Sequence, residues 1–301
     1  MKIIFNEVRN NKIKSVFLML IFILVIGFLG AIIGIVYGNL YFGLIMAVIF
    51  SLIYSLIGFY SGNKMILKMS DAKPVTKKEY PYLYHTVEGL AISAGIPTPK
   101  AYVIDDSALN AFATGRDPKN ASITVTTGLL NTMNRQELEG VIAHEMSHIK
   151  NYDIRLMMLT AVLVGIVILL SDFLLRTFLW GGRGRRRDSR SGGQLAVILI
   201  AIGLILAILA PIVGELIKLA ISRKREFMAD ASGAILTRYP PGLASALRKI
   251  SKDPNPLVDK ANKATAHLFI STPFRNKTGF VTNLFATHPP LEERIKILDA
   301  M

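Results

Sequence analysis

Residues 15–38 carry no Asp, Glu, Lys or Arg, and nearly all of them are aliphatic, aromatic or glycine. At about 1.5 Å of rise per residue, about 20 such residues cross a hydrocarbon layer ~30 Å thick. A second uncharged run, residues 40–60, starts after a link too short to fold, so the two are expected to pair as a helical hairpin. A cleaved leader fits poorly, because its apolar region is shorter and no second span follows at once. Two more apolar runs, residues 156–175 (interrupted by Asp172) and 195–214, flank an Arg-, Gly- and Ser-rich segment at 181–193. That composition makes a flexible loop, and Pro211 can bend the fourth run without ending it. Four membrane helices are therefore expected.

Charge must then gather outside the spans. Lys and Arg total 35 against 21 Asp and Glu, a net charge of +14. Mean hydropathy is nevertheless +0.43, and that combination marks an integral membrane protein. Lys2, Arg9, Lys12 and Lys14 precede the first run, Lys64, Lys68, Lys73, Lys77 and Lys78 follow the second, and Lys218, Arg223, Lys224 and Arg225 follow the fourth. Cationic loops face inward, so a multi-pass protein of the cell membrane with its polar region in the cytoplasm is expected. Arg183, Arg185, Arg186, Arg187 and Arg190 oppose that count if the last two runs cross fully, and agree with it if those runs are only embedded. No aromatic residues interleave this arginine run, so a lipid surface and no nucleic acid is its expected partner. The chain has no Cys, which excludes disulfides, thiolate metal sites and a cysteine nucleophile, and leaves the redox compartment open.

Between the second and third runs the text becomes amphipathic. Tyr80, Leu83, Tyr84, Val87 and Leu90 recur at helical spacing and stop at Gly95. Residues 101–104, 109–114 and 122–126 read as short strands of a small sheet, separated by Asp-, Asn- and Pro-containing turns. Arg135–Lys150 returns to helical spacing, with Asn134 as its N-cap. After the fourth run come short helices at 241–251 and 291–298, with a polar stretch between them to which no role is assigned.

The helix at 135–150 carries His144, Glu145 and His148 in the pattern His-Glu-x-x-His. Histidines four apart lie on one helix face, so both rings can reach one zinc ion. Glu145, about 100° round the helix, can reach a water on that ion and act as general base. A third ligand is needed. Arg187, at the centre of the arginine loop, is 39 residues from His148 and 39 from Glu226. An antiparallel pair of membrane helices therefore returns the chain to the height of His148 at Glu226. Asp230, one turn further, can accept an N–H from a ligating imidazole and orient it. The competing readings are a Glu226 paired with Arg223 or Arg225, and an Asp230 that is an ordinary helix carboxylate. Unbroken helices would put the metal just beneath the membrane surface.

With these residues in view, the chain resembles the HtpX family of membrane zinc metallopeptidases, relatives of the CAAX prenyl proteases. The resemblance rests on the paired hydrophobic spans, Asn110-Ala-Phe-Ala-Thr-Gly115, His144-Glu-Met-Ser-His148 continuing to Asn151 and Asp153, Ser222 through Asp230, and Thr287-His-Pro-Pro290 with Arg294. It implies zinc on His144, His148 and Glu226, a catalytic Glu145, and quality control of membrane proteins under stress. It further implies that Asn110, Ala111, Phe112 and Ala113 form an edge strand to which an extended peptide adds, and that His288 helps stabilise the oxyanion. As residues alone, the first set also reads as an interior strand and His288 as a histidine preceding a helix. His85 and His267 belong to no motif and read as structural.

The expected architecture is an α+β membrane protein. A first hairpin (1–62) precedes a mainly helical, zincin-like catalytic region with a small sheet (63–155 and 221–301), split by a second hairpin (156–220). Its expected substrates are polypeptides, membrane proteins among them. A CAAX-type endopeptidase is the rival enzyme, disfavoured by the small number of spans. A scaffold or chaperone with a structural metal is the rival outside enzymes. A transporter fits poorly, because Asp172 is the lone ionisable residue inside the spans.

Overall fold

The computed structural model describes residues 2–36, 38–181, 223–253, 268–270 and 289–301. The arginine loop past residue 181, the fourth apolar run, His267 and His288 lie outside the described residues.

Helices α1 (Lys2–Val36) and α2 (Leu40–Met69) form the expected hairpin. A Cβ on Gly30 or Gly43 would strike the facing backbone, so glycine at both positions lets the two helices close on each other. Both helices are long and apolar enough to cross a membrane, over Val8–Ile32 and Leu40–Met69. Most of the apolar side chains of α2 are exposed up to Tyr60, as a lipid-facing surface requires. The buried stripe of α1 runs Asn11, Ser15, Leu18, Phe22, Ile26 and Leu29, a helical spacing that faces the rest of the protein. Helix α6 (Asp153–Gly181) covers the third apolar run, and its first part, including Ile154, Leu156, Met158 and Leu159, is buried.

The polar region contains β1 (Lys73–Pro74), α3 (Pro81–Ala94), β2 (Lys100–Ile104), β3 (Ala111–Gly115), β4 (Ala121–Thr126), α4 (Thr127–Thr132) and α5 (Arg135–Lys150). Helices α7 (Arg223–Thr237), α8 (Pro240–Lys252) and α9 (Leu291–Asp299) complete it. The strands form one mixed sheet in the order β1-β2-β4-β3, with β2 parallel to β4 and the outer pairs antiparallel. Strand β3 is therefore an edge. The two-residue β1 and the short α4 carry too little periodicity to be read from the sequence.

Helix α5 is the axis of this region, buried along most of its length. Asn134 accepts the Glu137 N–H at 3.0 Å while the Glu137 carboxylate accepts the Asn134 N–H at 2.8 Å, a reciprocal cap. The same carboxylate accepts from the Ser245 hydroxyl and the Lys249 ammonium, each at 2.6 Å, and so ties α5 to α8. Burial works to raise the Glu137 pKa, but these donors outweigh it and lower it. Its contribution to stability is therefore present above the ordinary carboxylate value and lost as pH falls through the lowered one. Glu137→Ala is expected to cost about 2 kcal/mol at neutral pH. The deficit should shrink in acid, as chemical denaturation at two pH values would show.

The path from His148 into the third run is not continuous helix: α5 ends at Lys150, and Tyr152 takes a φ of 61° before α6 begins. This turn swings Asp153 back toward His148.

Candidate active site

Gly233 on α7 brings α5 and α7 together. A Cβ there would lie 3.1 Å from the His144 backbone nitrogen, so even an alanine would need the facing backbone to give by a few tenths of an ångström. At this spacing Glu226, on the first turn of α7, faces both imidazoles. Its carboxylate lies 3.4 Å from His148 Nε2 and 3.8 Å from His144 Nε2. One ligand atom from each of the three residues falls within 4.8 Å of the others, and all three residues are buried.

The outer nitrogens of both rings are already engaged. His144 Nδ1 lies 2.9 Å from Asp230 Oδ1, and His148 Nδ1 lies 2.9 Å from Asp153 Oδ2. Each ring donates its Nδ1–H to a carboxylate, which leaves an Nε2 lone pair pointing inward. The two Nε2 atoms sit 3.2 Å apart beside the Glu226 carboxylate. Lone pairs at that separation repel unless a proton or a cation lies among them, so the donor set of two imidazoles and a carboxylate fits a bound divalent metal.

Both orienting carboxylates are themselves held. Arg294, fully buried on α9, donates from Nε and Nη2 to the two Asp230 oxygens at 2.8 and 2.6 Å. Its Nη1 has no hydrogen-bond partner among the described residues and lies 3.6 Å from Glu226 Oε2. Asp153 accepts the Asn11 side-chain N–H at 2.7 Å and lies 3.5 Å from Arg225. Burial acts to raise the Asp230 pKa, but the Arg294 guanidinium prevails and holds it at about 2. Burial also opposes a charge on His148, yet Asp153 and Glu226 carry that ring well above the ordinary imidazole value. The cavity thus favours positive charge between its carboxylates.

Glu145 is buried beside the cluster, and its carboxylate accepts the backbone N–H of Ala113. Burial pushes its pKa up, Glu226 adds to the effect, and the two imidazoles and Ala113 counter it. Strand β3 supplies that contact. Thr126 N–H bonds to Asn110 O, so by antiparallel alternation Phe112 and Thr114 turn their main-chain groups to β4, while Ala111 and Ala113 turn theirs away from it. On that edge the Ala111 carbonyl accepts from the Ile270 N–H at 3.0 Å, and the Phe269 ring packs edge-on against Phe112.

The structure therefore brings together His144, Glu145, His148, Glu226 and Asp230, with Ala113 touching the group and Asn110 buried at the start of the same edge. Arg225 turns to Asn11 and Asp153. His85, near Glu88 on α3, stays outside the cluster. Three residues here were given no role by the sequence reading: Asn11, Asp153 and Arg294. Arg294 and Asn11 each leave a signal. Arg294 falls on the same helical face as Leu291, Ile295 and Leu298, and Asn11 extends the apolar stripe of α1, positions where a polar residue needs a buried partner.

Residues 77–301 match the description "Peptidase family M48". The chain belongs to peptidase family M48. Within it, the chain is 53% identical over 243 residues to the Protease HtpX homolog of Dictyoglomus thermophilum, covering 81% of this chain and 77% of that one. It is 42% identical over 297 residues to the Protease HtpX homolog of Tropheryma whipplei, covering 99% and 98%. Among solved structures, the crystal structure of S. mikatae Ste24p is similar with a TM-score of 0.48 at 21% identity, over 98% of this chain and 66% of that one. M48 membership, with HtpX relatives matched over nearly the whole length, makes this chain a metallopeptidase.

Proposed function

We propose that this M48 peptidase is a zinc endopeptidase of the cell membrane that cleaves misfolded or damaged membrane proteins from the cytoplasmic side. One observation carries the metal reading: both histidines give their Nδ1–H to aspartates and turn Nε2 toward the Glu226 carboxylate. Nitrogen and oxygen donors in this number are the set zinc hydrolases use. Zinc held by His144, His148 and Glu226 would polarise the scissile carbonyl and acidify a water.

The chain's own residues supply the rest. Glu145 takes the proton of the attacking water on its carboxylate and passes it to the leaving amine. Its raised pKa suits both steps. Asp153 and Asp230 hold the imidazoles in the tautomer that keeps Nε2 available. An extended peptide adds at the edge carrying Asn110, Ala111, Phe112 and Ala113, where Ala113 touches Glu145 and where the peptide replaces Ile270 on the Ala111 carbonyl. The resemblance assigns oxyanion stabilisation to His288. Membrane-protein substrates and quality control rest on the HtpX resemblance, together with two helices long and apolar enough to cross a membrane.

The domain reading stands on the same basis. A hairpin at 1–62 and a second at 156–220 anchor the catalytic region of 63–155 and 221–301. The lysines that follow α2 support a cytoplasmic orientation.

The test is metal dependence. Purified protein should digest casein, lose that activity completely with 1,10-phenanthroline, and regain most of it on addition of zinc. Digestion that continues at full rate in the chelator would overturn the zinc reading.

A further inference from the structure

We infer that Asn11 on the first membrane helix is a positioning residue for the ligand His148, so that α1 is a structural part of the metal centre as well as an anchor. The inference rests on the zinc reading above and extends it to a residue 142 positions before Asp153.

The argument begins with burial. Asn11 has no exposed surface, although Lys12 and Lys14 follow it within one turn, near the polar end of an otherwise apolar helix. A buried carboxamide needs partners for both ends. Its Nδ2 donates to Asp153 Oδ1 at 2.7 Å and to the Asn151 carbonyl at 3.0 Å. Its Oδ1 accepts from Arg225 Nη1 at 3.0 Å. Two acceptors lie on one side and a guanidinium on the other, so the amide has a single satisfactory orientation.

Those partners are the surroundings of the metal cluster. Asn151 and Asp153 flank the turn at Tyr152 that ends α5, and Asp153 holds His148 through its other oxygen at 2.9 Å. Arg225 adjoins Glu226 in the chain. Asn11 therefore clamps the turn that aims Asp153, and it joins that turn to the start of the helix carrying the third ligand. The arrangement mirrors the other side of the site, where Arg294 from the last helix holds Asp230 against His144. Each imidazole is oriented by an aspartate, and each aspartate is fixed by a residue from the opposite end of the chain. A carboxylate held at both oxygens keeps its imidazole in one rotamer and tautomer, and groups of this kind typically set metal affinity within a factor of about 10 to 100.

The test uses full-length protein in detergent and reads zinc affinity by competition with a chromophoric chelator, alongside the melting temperature of the zinc-free protein. Asn11→Ala should weaken zinc binding about tenfold or more. Asn11→Leu, which keeps most of the side-chain volume on an apolar stripe, should do the same if the alanine variant folds poorly. Asp153→Asn should weaken binding at least as much. Because Asn11 acts through Asp153, the double variant should bind zinc no more weakly than Asp153→Asn alone. Effects that multiply would overturn the inference, as would an Asn11→Leu protein that melts lower yet holds zinc with unchanged affinity. A parent protein that binds no zinc would overturn the zinc reading itself, a separate and recognisable failure.

Discussion

Glu145→Gln should lower peptide-bond cleavage by about 10³- to 10⁴-fold while the protein retains its zinc. The side chain is isosteric, so its oxygen still accepts the Ala113 N–H and the packing beside α5 is kept. The amide cannot take a proton from water, and that is the function proposed for this position. The environment supports the assignment. Burial destabilises the charged carboxylate and Glu226 adds to that, while the imidazoles and Ala113 limit the effect. A group so placed accepts a proton readily and can return it. Casein digestion with metal analysis of the same preparation separates chemistry from binding. A fully zinc-loaded variant that cuts within tenfold of wild type would remove Glu145 from the mechanism.

How much of this was legible beforehand depended on whether the relevant partners lie close in sequence. The α5 helix, its Asn134 cap and the His144–His148 face follow from spacing alone. The placement of Glu226 came from the equal lengths of chain on either side of Arg187, a strictly antiparallel argument; the structure sets its carboxylate beside both rings. The arginine loop and fourth run on which that argument turned lie outside the described residues. Asp153 takes no role in the sequence reading; on an unbroken helix it would lie round the axis from His148. The φ of 61° at Tyr152 reverses that geometry, and nothing in the side-chain pattern announces it. Asn11 and Arg294 were obscure for another reason. Each is a polar residue on an apolar face, which says that a partner exists but not which one, and the partners are distant in sequence. The strand at 109–114 begins two residues later than its apolar pattern suggests, because Asn110 spends its main-chain and side-chain groups closing the turn into β3.

Arg294→Met should be the most destabilising of the substitutions considered, by about 3–5 kcal/mol at neutral pH, the usual cost of leaving one member of a buried ion pair alone. The methionine fills much of the space but offers no donors to Asp230, which then keeps only His144. Lysine should not rescue it, since a single ammonium cannot reproduce the two-pronged bond from Nε and Nη2. The pH dependence carries the diagnosis. In the parent protein Asp230 is held at about 2, below its unfolded value, so it adds stability above that unfolded value and loses it as pH falls toward 2. Without Arg294, burial is opposed by His144 alone, so the Asp230 pKa is expected to rise and the charged carboxylate to become a penalty that protonation relieves. The deficit of Arg294→Met should therefore be largest near neutrality and shrink as pH falls through the raised value. Asp230→Asn added to Arg294→Met should recover a substantial part of the loss, because no buried charge is then left alone. Denaturation curves for the single and double variants at two pH values test both statements. A deficit that is flat with pH and untouched by the second substitution would mean that Arg294 stabilises by packing alone and that its grip on Asp230 is incidental to the site.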